Sequence, residues 1–309
     1  MNPVILMTLG DKIDSTFFSF DIWIFKFFAS IQNGFFSWVA KFFTSFGDEA
    51  FVIPMAVVAV LLCFFKKTRK FGFTLLFAIA VGTIITNVVV KPMALRIRPY
   101  NTLQNTFSEF NHWYIAVGSL SESDYSFPSG HTTAAFEMAT ALFICFKQNK
   151  KKIAYLFPVI ALCTAGSRIY LMVHYPTDVI AGIIVGILSG VIGYFLMKLA
   201  MKILSIKKGN KTLDEIIDAE KLFDKITGNG FRDDGKKILL NSVLIIAVAV
   251  IFITSFVPVL KESKEHPPLC NYHTEYDCKN KARHEDSKYP PIYGKEYCKI
   301  HWKELNGEQ

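Results

Sequence analysis

Residues 167–204 read SRIYLMVHYPTDVIAGIIVGILSGVIGYFLMKLAMKIL, and the change of character at Asp178 decides the class of fold. From Val179 to Leu204 the only charges are Lys198 and Lys202, and the run is long enough to cross the ~30 Å hydrocarbon core of a bilayer as one helix. Immediately before it stand Arg168, His174 and Asp178. A bilayer tolerates such groups only at its rim or inside protein.

Working outward, further apolar runs lie at Phe51 to Phe65, Phe71 to Val90, Thr132 to Phe146, Ile153 to Gly166 and Ile238 to Leu260, the first and third of them short. With 51% of 309 residues hydrophobic and gathered in these runs, the bilayer is the chain's main solvent. The expected fold is all-α: a six-span transmembrane helical bundle. Residues 1–50 are expected to form an interfacial amphipathic segment, 51–204 the membrane core, 205–260 a cytoplasmic helix plus the sixth span, and 261–309 a small extracytoplasmic tail.

The net charge of +8 is informative through its location. Lys66, Lys67, Arg69 and Lys70 follow the first span, Lys147, Lys150, Lys151 and Lys152 the third, and Lys207, Lys208 and Lys211 the fifth. The positive-inside tendency makes those loops cytoplasmic, so the alternate connections face the extracytoplasmic side of the cell membrane. These lysines sit beside spans with no soluble domain to present them, which argues against a nucleic-acid partner. The first stretch has no basic leader and no small-residue cleavage site, so no cleavable signal is expected.

Ahead of the first span, Lys26, Ser30, Asn33, Ser37, Lys41 and Thr44 alternate with Trp23, Phe27, Phe28, Ile31, Phe35 and Trp38 at helical steps. This predicts a helix, broken near Gly34, lying on the outer interface; a tilted additional span is the alternative. Tyr100 to Phe127 is a long polar loop with Phe110, Trp113 and Tyr114 inside it, as lids and binding elements often are. Thr212 with Glu215 forms a capping-box pattern that predicts a surface helix before the sixth span.

Three polar motifs fall on the extracytoplasmic connections. The first is KPMALRIRP from Lys91 to Pro99, where Lys91 and Arg98, seven residues apart, project from one face if the segment is helical. Pro92 predicts a kink or a restart of the helix there. The second is PSGH, Pro128 to His131. Gly130 lets backbone approach a ligand, Ser129 and nearby N–H groups can donate to oxyanions, and a helix N-terminus favours an anion. The third is Ser167 to Asp178, where Arg168 offers a planar fork and Asp178, four residues after His174, can hold the imidazole in one tautomer.

Converging cations suit the charge on the oxygens of a phosphoryl group in transfer. His131 can protonate a leaving oxygen, and the free nitrogen of His174 can attack phosphorus. Each residue also has a plainer reading: Lys91, Arg98 and Arg168 as cations snorkelling at span ends, Ser129 as a helix cap, His131 as an interfacial histidine, and Asp178 as a cap beside a bystander His174.

Taken in order, the motifs match K-x6-R-P, P-S-G-H and S-R-x5-H-x3-D at every position, and the chain resembles the type 2 phosphatidate phosphatase family of integral membrane lipid phosphatases from about Phe51 to Leu204. The resemblance implies His174 as a nucleophile forming a phosphohistidine, Asp178 as its orienting group and His131 as the acid for the leaving group. Lys91, Arg98, Ser129, Gly130 and Arg168 would then bind phosphate. It implies a membrane lipid as substrate and no cofactor for catalysis. Undecaprenyl diphosphate is favoured among lipids, with phosphatidylglycerophosphate and phosphatidate as alternatives; oligomeric state is left open. The same residue set is similar to that of soluble vanadium-dependent haloperoxidases, against which the long apolar runs speak. A transporter or scaffold is the non-enzymatic alternative.

In the tail, Cys270, Cys278 and Cys298 with His301 at C-x2-H spacing form a candidate structural zinc site. An oxidising compartment allows instead one disulfide and a spare thiol.

Overall fold

The computed structural model describes residues 7–208 and 211–212. Ile238 to Leu260, the expected helix after Thr212, and the Cys/His tail lie outside the described residues. Within them the regular structure is helical apart from one antiparallel pairing of Lys207–Lys208 with Lys211–Thr212.

Helix α1 (Leu9–Ser30) opens on a reciprocal cap: Asp11 N–H donates to Thr8 Oγ1 at 3.1 Å and Thr8 N–H to Asp11 Oδ2 at 2.8 Å. The expected break falls at residues 31–33, where Asn33 Oδ1 accepts the Phe36 N–H at 2.9 Å and starts α2 (Gly34–Thr44). A single 3-10 turn, Ser45–Gly47, joins α2 to α3 (Glu49–Cys63). Gly34–Cys63 thereby forms one body long and apolar enough to cross a membrane. The second half of the stretch expected to lie on the interface is thus continuous with the first span, and α2 packs on α9 (Leu156–Tyr170) rather than standing apart.

Among the described residues, four bodies meet the length and composition of a span: Gly34–Cys63, Arg69–Leu103, Lys152–Tyr170 and Pro176–Leu204. The expected third span forms as α8 (Gly130–Gln148) but is not among them. The physical reason lies in its neighbours. It packs against α4 (Arg69–Thr83), α9 and α10 (Pro176–Leu204), so its surroundings are largely protein and it carries buried Thr132, Thr133 and Glu137. Closeness comes from glycines on α10. A Cβ on Gly182 would lie 2.8 Å from Ser129 O, one on Gly186 2.6 Å from Phe136 Cβ, and one on Gly193 2.6 Å from Ala78 N. Small residues at such a seam let helix backbones meet.

Arg69 differs from the expectation for a juxtamembrane basic cluster. It is fully buried, and its Nε and Nη2 donate to the carbonyls of Cys63 and Phe64 at 2.7 and 3.3 Å, closing the end of α3.

Above the bundle, the loop expected between the first two motifs folds as α6 (Pro99–Thr106) and α7 (Ser108–Ala116), after the short α5 (Lys91–Ala94). Its aromatics join a cluster with Ile22 and Phe25 of α1 and with Leu171, Met172, Val173 and Tyr175. This cap anchors the turn that carries His174.

Candidate active site

Lys91 reaches the site through a change of helix type. After α4 the chain runs as a π-helical stretch, Ile84–Val90, and restarts at Lys91 with Pro92 in the first turn. Of the expected kink or restart, the restart is what forms, and proline costs least at a helix start. Helix α5 ends at Leu95 in the left-handed region (φ 54°), and Arg98 has extended backbone. Lys91 and Arg98 therefore do not share a helix face. A bend brings them together: both ion-pair with Asp124, and Arg98 Nε also donates to Asp124 O at 2.9 Å.

Ser129 caps α8, its Oγ accepting from Thr132 Oγ1 at 2.9 Å and Thr132 N–H at 3.4 Å. Its own N–H donates to Asp178 O at 3.1 Å, tying the second motif to the third. Gly130 abuts Lys91: an added Cβ would sit 3.4 Å from Lys91 Nζ. His131 Nε2 faces Asp48 Oδ2 at 3.6 Å, and its Nδ1 faces Glu122 Oε1 at 3.7 Å.

Arg168 sits at the end of α9 with its guanidinium on Thr44 Oγ1 at 2.7 Å and on Glu122. Its Nε is buried and has no hydrogen-bond partner among the described residues. His174 lies in the turn before α10, so it meets Asp178 across a helix start rather than along a helix face. Nδ1 is 3.5 Å from Asp178 Oδ2 and 3.4 Å from Ser126 Oγ. Nε2 is 3.1 Å from Arg98 Nη1. A guanidinium only donates, so this pairing assigns Nε2 as the acceptor and leaves the ring proton on Nδ1, towards the carboxylate. His174 is fully buried. Burial, with Arg98 and Arg168 adding to it against the hydrogen bond that the ring donates to Asp178, lowers its pKa to about 4, so the ring is neutral at pH 7.

Asp178 is held from every side. Oδ2 accepts from Tyr175 N–H at 2.9 Å and Ser126 Oγ at 2.5 Å, and Oδ1 from Arg96 Nη1 at 2.5 Å. Arg96 also pairs with Asp14 and Asp21 of α1 at 2.7 and 2.9 Å and lies 3.8 Å over the Tyr175 ring. The third motif is therefore fastened to α1.

Thus Lys91, Arg98, His131, Arg168, His174 and Asp178 converge, Gly130 lines the same space, and Ser129 is spent as a cap. Of these, Lys91, Gly130, His131 and Arg168 border a cavity of about 1200 Å3 whose lining continues to Val52, Ile53, Thr86 and Asn87, while Arg98, His174 and Asp178 are buried outside that lining. Sequence reasoning missed the acids: Glu122 stands among Arg98, Arg168, His131 and His174, and Asp124 bridges Lys91 to Arg98. Burial opposes a charge on Glu122, but Arg168, His131 and Arg98 hold its carboxyl well below the usual carboxylate range. The available signal was their position, the two acids between Val117 and His131. Arg96, Ser126, Thr44 and Asp48 were missed too, with no signal outside three-dimensional contact.

Comparison with known proteins agrees with this geometry. A model of the PAP2 superfamily matches residues 71–202. An undecaprenyl-diphosphatase of Sulfolobus acidocaldarius is 30% identical over 54% of this chain and 73% of its own length. The chain belongs to the PAP2 superfamily. This PAP2 protein is a membrane lipid phosphatase, a hydrolase of phosphoric esters. It is also similar to phosphatidylglycerophosphatase B of Bacillus subtilis, 31% identical over 50% of this chain and 70% of that one. A lipid A 4'-phosphatase of Bacteroides thetaiotaomicron is 28% identical over 57% and 76%. The PAP2 match begins at α4 and ends within α10, so it takes in all three motifs.

Proposed function

We propose that this phosphatase removes the terminal phosphate of undecaprenyl diphosphate at the extracytoplasmic face of the membrane, through a phosphohistidine on His174. One observation carries the reading: an oxyanion, the carboxylate of Glu122, is bracketed by Arg98 and His174 on one oxygen and by Arg168 and His131 on the other. A phosphoryl group in that seat would meet the same four groups, and the unpaired Arg168 Nε supplies one further buried donor.

In the first step the Nε2 lone pair of His174 forms a bond to phosphorus, and the bond from phosphorus to the bridging oxygen breaks. The electron pair leaves on the bridging oxygen of undecaprenyl phosphate, which takes a proton from the imidazolium of His131 and leaves that ring neutral. Asp178 stabilises the proton on Nδ1 as the ring becomes positive. In the second step water gives a proton to His131 and attacks phosphorus. The P–N bond breaks, orthophosphate leaves and His174 is restored. Lys91, Arg98 and Arg168 balance the charge on the phosphoryl oxygens, so no metal is required.

Support for the lipid comes from the Sulfolobus relative, and support for the side from the lysine clusters of the opposite connections. Phosphatidylglycerophosphate and phosphatidate fit the same seat. The test is orthophosphate release from a competitive panel of these lipid phosphates in detergent micelles with a chelator present, comparing the parent with His174→Ala. Preference for undecaprenyl diphosphate, lost in the variant, is expected. Equal release by both proteins refutes the phosphohistidine on His174, and preference for another lipid refutes the substrate.

A further inference from the structure

The site as it stands is electrically closed. Three cations, Lys91, Arg98 and Arg168, face three carboxylates: Asp124 on the first two, Glu122 on the two arginines, and Asp48 beside His131. Asp48 and Asp124 lie at the margins, each with another anchor. Asp48 caps α3 by accepting the Ala50 N–H at 2.8 Å, and Asp124 reaches Lys91, outside the arginine pair. Glu122 alone sits between both arginines and both histidines, where the Proposed function puts the phosphoryl group.

What can move is the Glu122 side chain, not its backbone. Tyr100 Oη accepts the Glu122 N–H and donates to the Glu122 carbonyl, both at 2.8 Å. Tyr100 in turn stacks on Tyr114 at 5.0 Å, and Tyr114 Oη donates to Leu120 O at 2.6 Å. The loop is thus pinned on both sides of a side chain that remains one-quarter exposed at the cavity. Rotation about its own bonds empties the seat without unfolding the loop.

We propose that Glu122 is a specificity determinant, an internal competitor that makes the seat read charge: a doubly charged terminal phosphate displaces it, whereas the singly charged phosphodiester of an ordinary bilayer lipid does not. This rests on the seat being the phosphate site proposed above. Exchange of the carboxylate for a monoanion leaves the charge in the seat unchanged and gains nothing electrostatically. The tethered carboxylate also competes at an effective concentration on the order of millimolar or more. A dianion brings a second charge to three converging cations, and its additional oxygens can engage Arg168 Nε and Lys91. The need for such a filter follows from the location of the site. Phosphodiester headgroups are the majority anion of the surface on which it opens, and an unguarded pair of arginines would be occupied by them.

The full-length protein in detergent tests this with two small tetrahedral anions, sulfate as dianion and dimethyl phosphate as monoanion, and with phosphatidylglycerol added to the micelles as a lipid diester. Inhibition constants against a lipid phosphomonoester are measured for the parent and for Glu122→Gln. In the parent, sulfate inhibits while dimethyl phosphate and phosphatidylglycerol act at least tenfold more weakly. In Glu122→Gln, the gap between monoanion and dianion narrows at least tenfold. A purely structural role would weaken both anions together, so an unchanged gap overturns the proposal. Glu122→Ala makes the same comparison should the glutamine variant not fold. Stabilisation against heat by the two anions, read in parallel, reports occupancy without turnover. Selective gain of dimethyl phosphate stabilisation in a protein that releases no orthophosphate would support the filter and refute the turnover proposed at this seat, whereas turnover lost on His174→Ala with an unchanged gap would refute the filter alone.

Discussion

Acidification from pH 7 to pH 5 should destabilise this protein through one buried ring. The pKa of His174 is about 4 in the fold and 6.5 in the unfolded chain. Between those values the unfolded chain binds the proton and the fold does not, so stability rises with pH and is lost as pH falls from about 6.5 towards 4. Integrated from pH 7 to pH 5, that difference is about 2 kcal/mol, which for a fold of this size is a drop of about 5 °C in melting temperature. Glu122 does not confuse the window. Its carboxyl is held well below the usual range, so its contribution is present above the unfolded carboxylate value near 4.3 and is lost only below it. The assay is thermal unfolding in detergent at half-unit pH steps, for the parent and for His174→Gln, which keeps a polar group towards Arg98 but cannot titrate. The variant should have the shallower curve by about 2 kcal/mol between pH 7 and 5, the other histidines being common to both. Parallel curves would refute the assignment of His174 as a ring kept neutral by burial, and with it the reading of Nε2 as unprotonated at pH 7.

Three further outcomes are expected. Asp178→Asn places an amide where one oxygen accepts from Arg96 and the other from Tyr175 N–H and Ser126 Oγ; either orientation sets its NH2 against a donor. Turnover should fall by about 10³-fold, with the rate of phosphohistidine formation falling with it, as pulse-labelled substrate would show; an intact rate would remove Asp178 from the mechanism. Gly186→Ala, whose Cβ meets Phe136 Cβ at 2.6 Å and Thr133 O at 2.7 Å, should cost about 1–3 kcal/mol, whereas Gly34→Ala, with nothing within 4 Å, should be near neutral; melting in detergent checks the contrast. Arg96→Met leaves buried Asp21 and Asp178 without their shared cation and should cost about 3–5 kcal/mol; a melting temperature equal to that of the parent would show the network to be dispensable.

The apolar runs were legible because lipid-facing helices state their surroundings directly in composition. Val179 to Leu204 needed no neighbour to be read as a helix, and α10 spans Pro176–Leu204. The limits of that legibility are physical too. Helix α8 is enclosed by other helices and follows protein rules, so its residues announce a span less clearly than α10 does. Seven residues between Lys91 and Arg98 put both on one face only if the segment is helical, and the left-handed Leu95 and extended Arg98 replace that face with a bend. Spacing alone does not distinguish a face from a bend. The site cations and histidines were legible because their order and type are set by the reaction. The groups that hold them, Arg96 on Asp178 and Ser126 between His174 and Asp178, act only through contact, and contact between positions up to 82 apart in sequence leaves no local trace.

The acids expose the asymmetry most sharply. A phosphate site is looked for as a set of cations, and nothing in that search singles out Glu122 and Asp124 within a polar loop. Yet a buried cluster of Lys91, Arg98 and Arg168 could not stand alone, since like charges in a site of low dielectric raise one another's energy until counter-charges arrive. The resting protein must therefore supply its own anions wherever the ligand will later bring them. Electroneutrality makes carboxylates beside the signature a physical requirement of the empty state. Their placement between Tyr100 and the PSGH turn allows one of them, Glu122, to yield the seat while its backbone stays fixed.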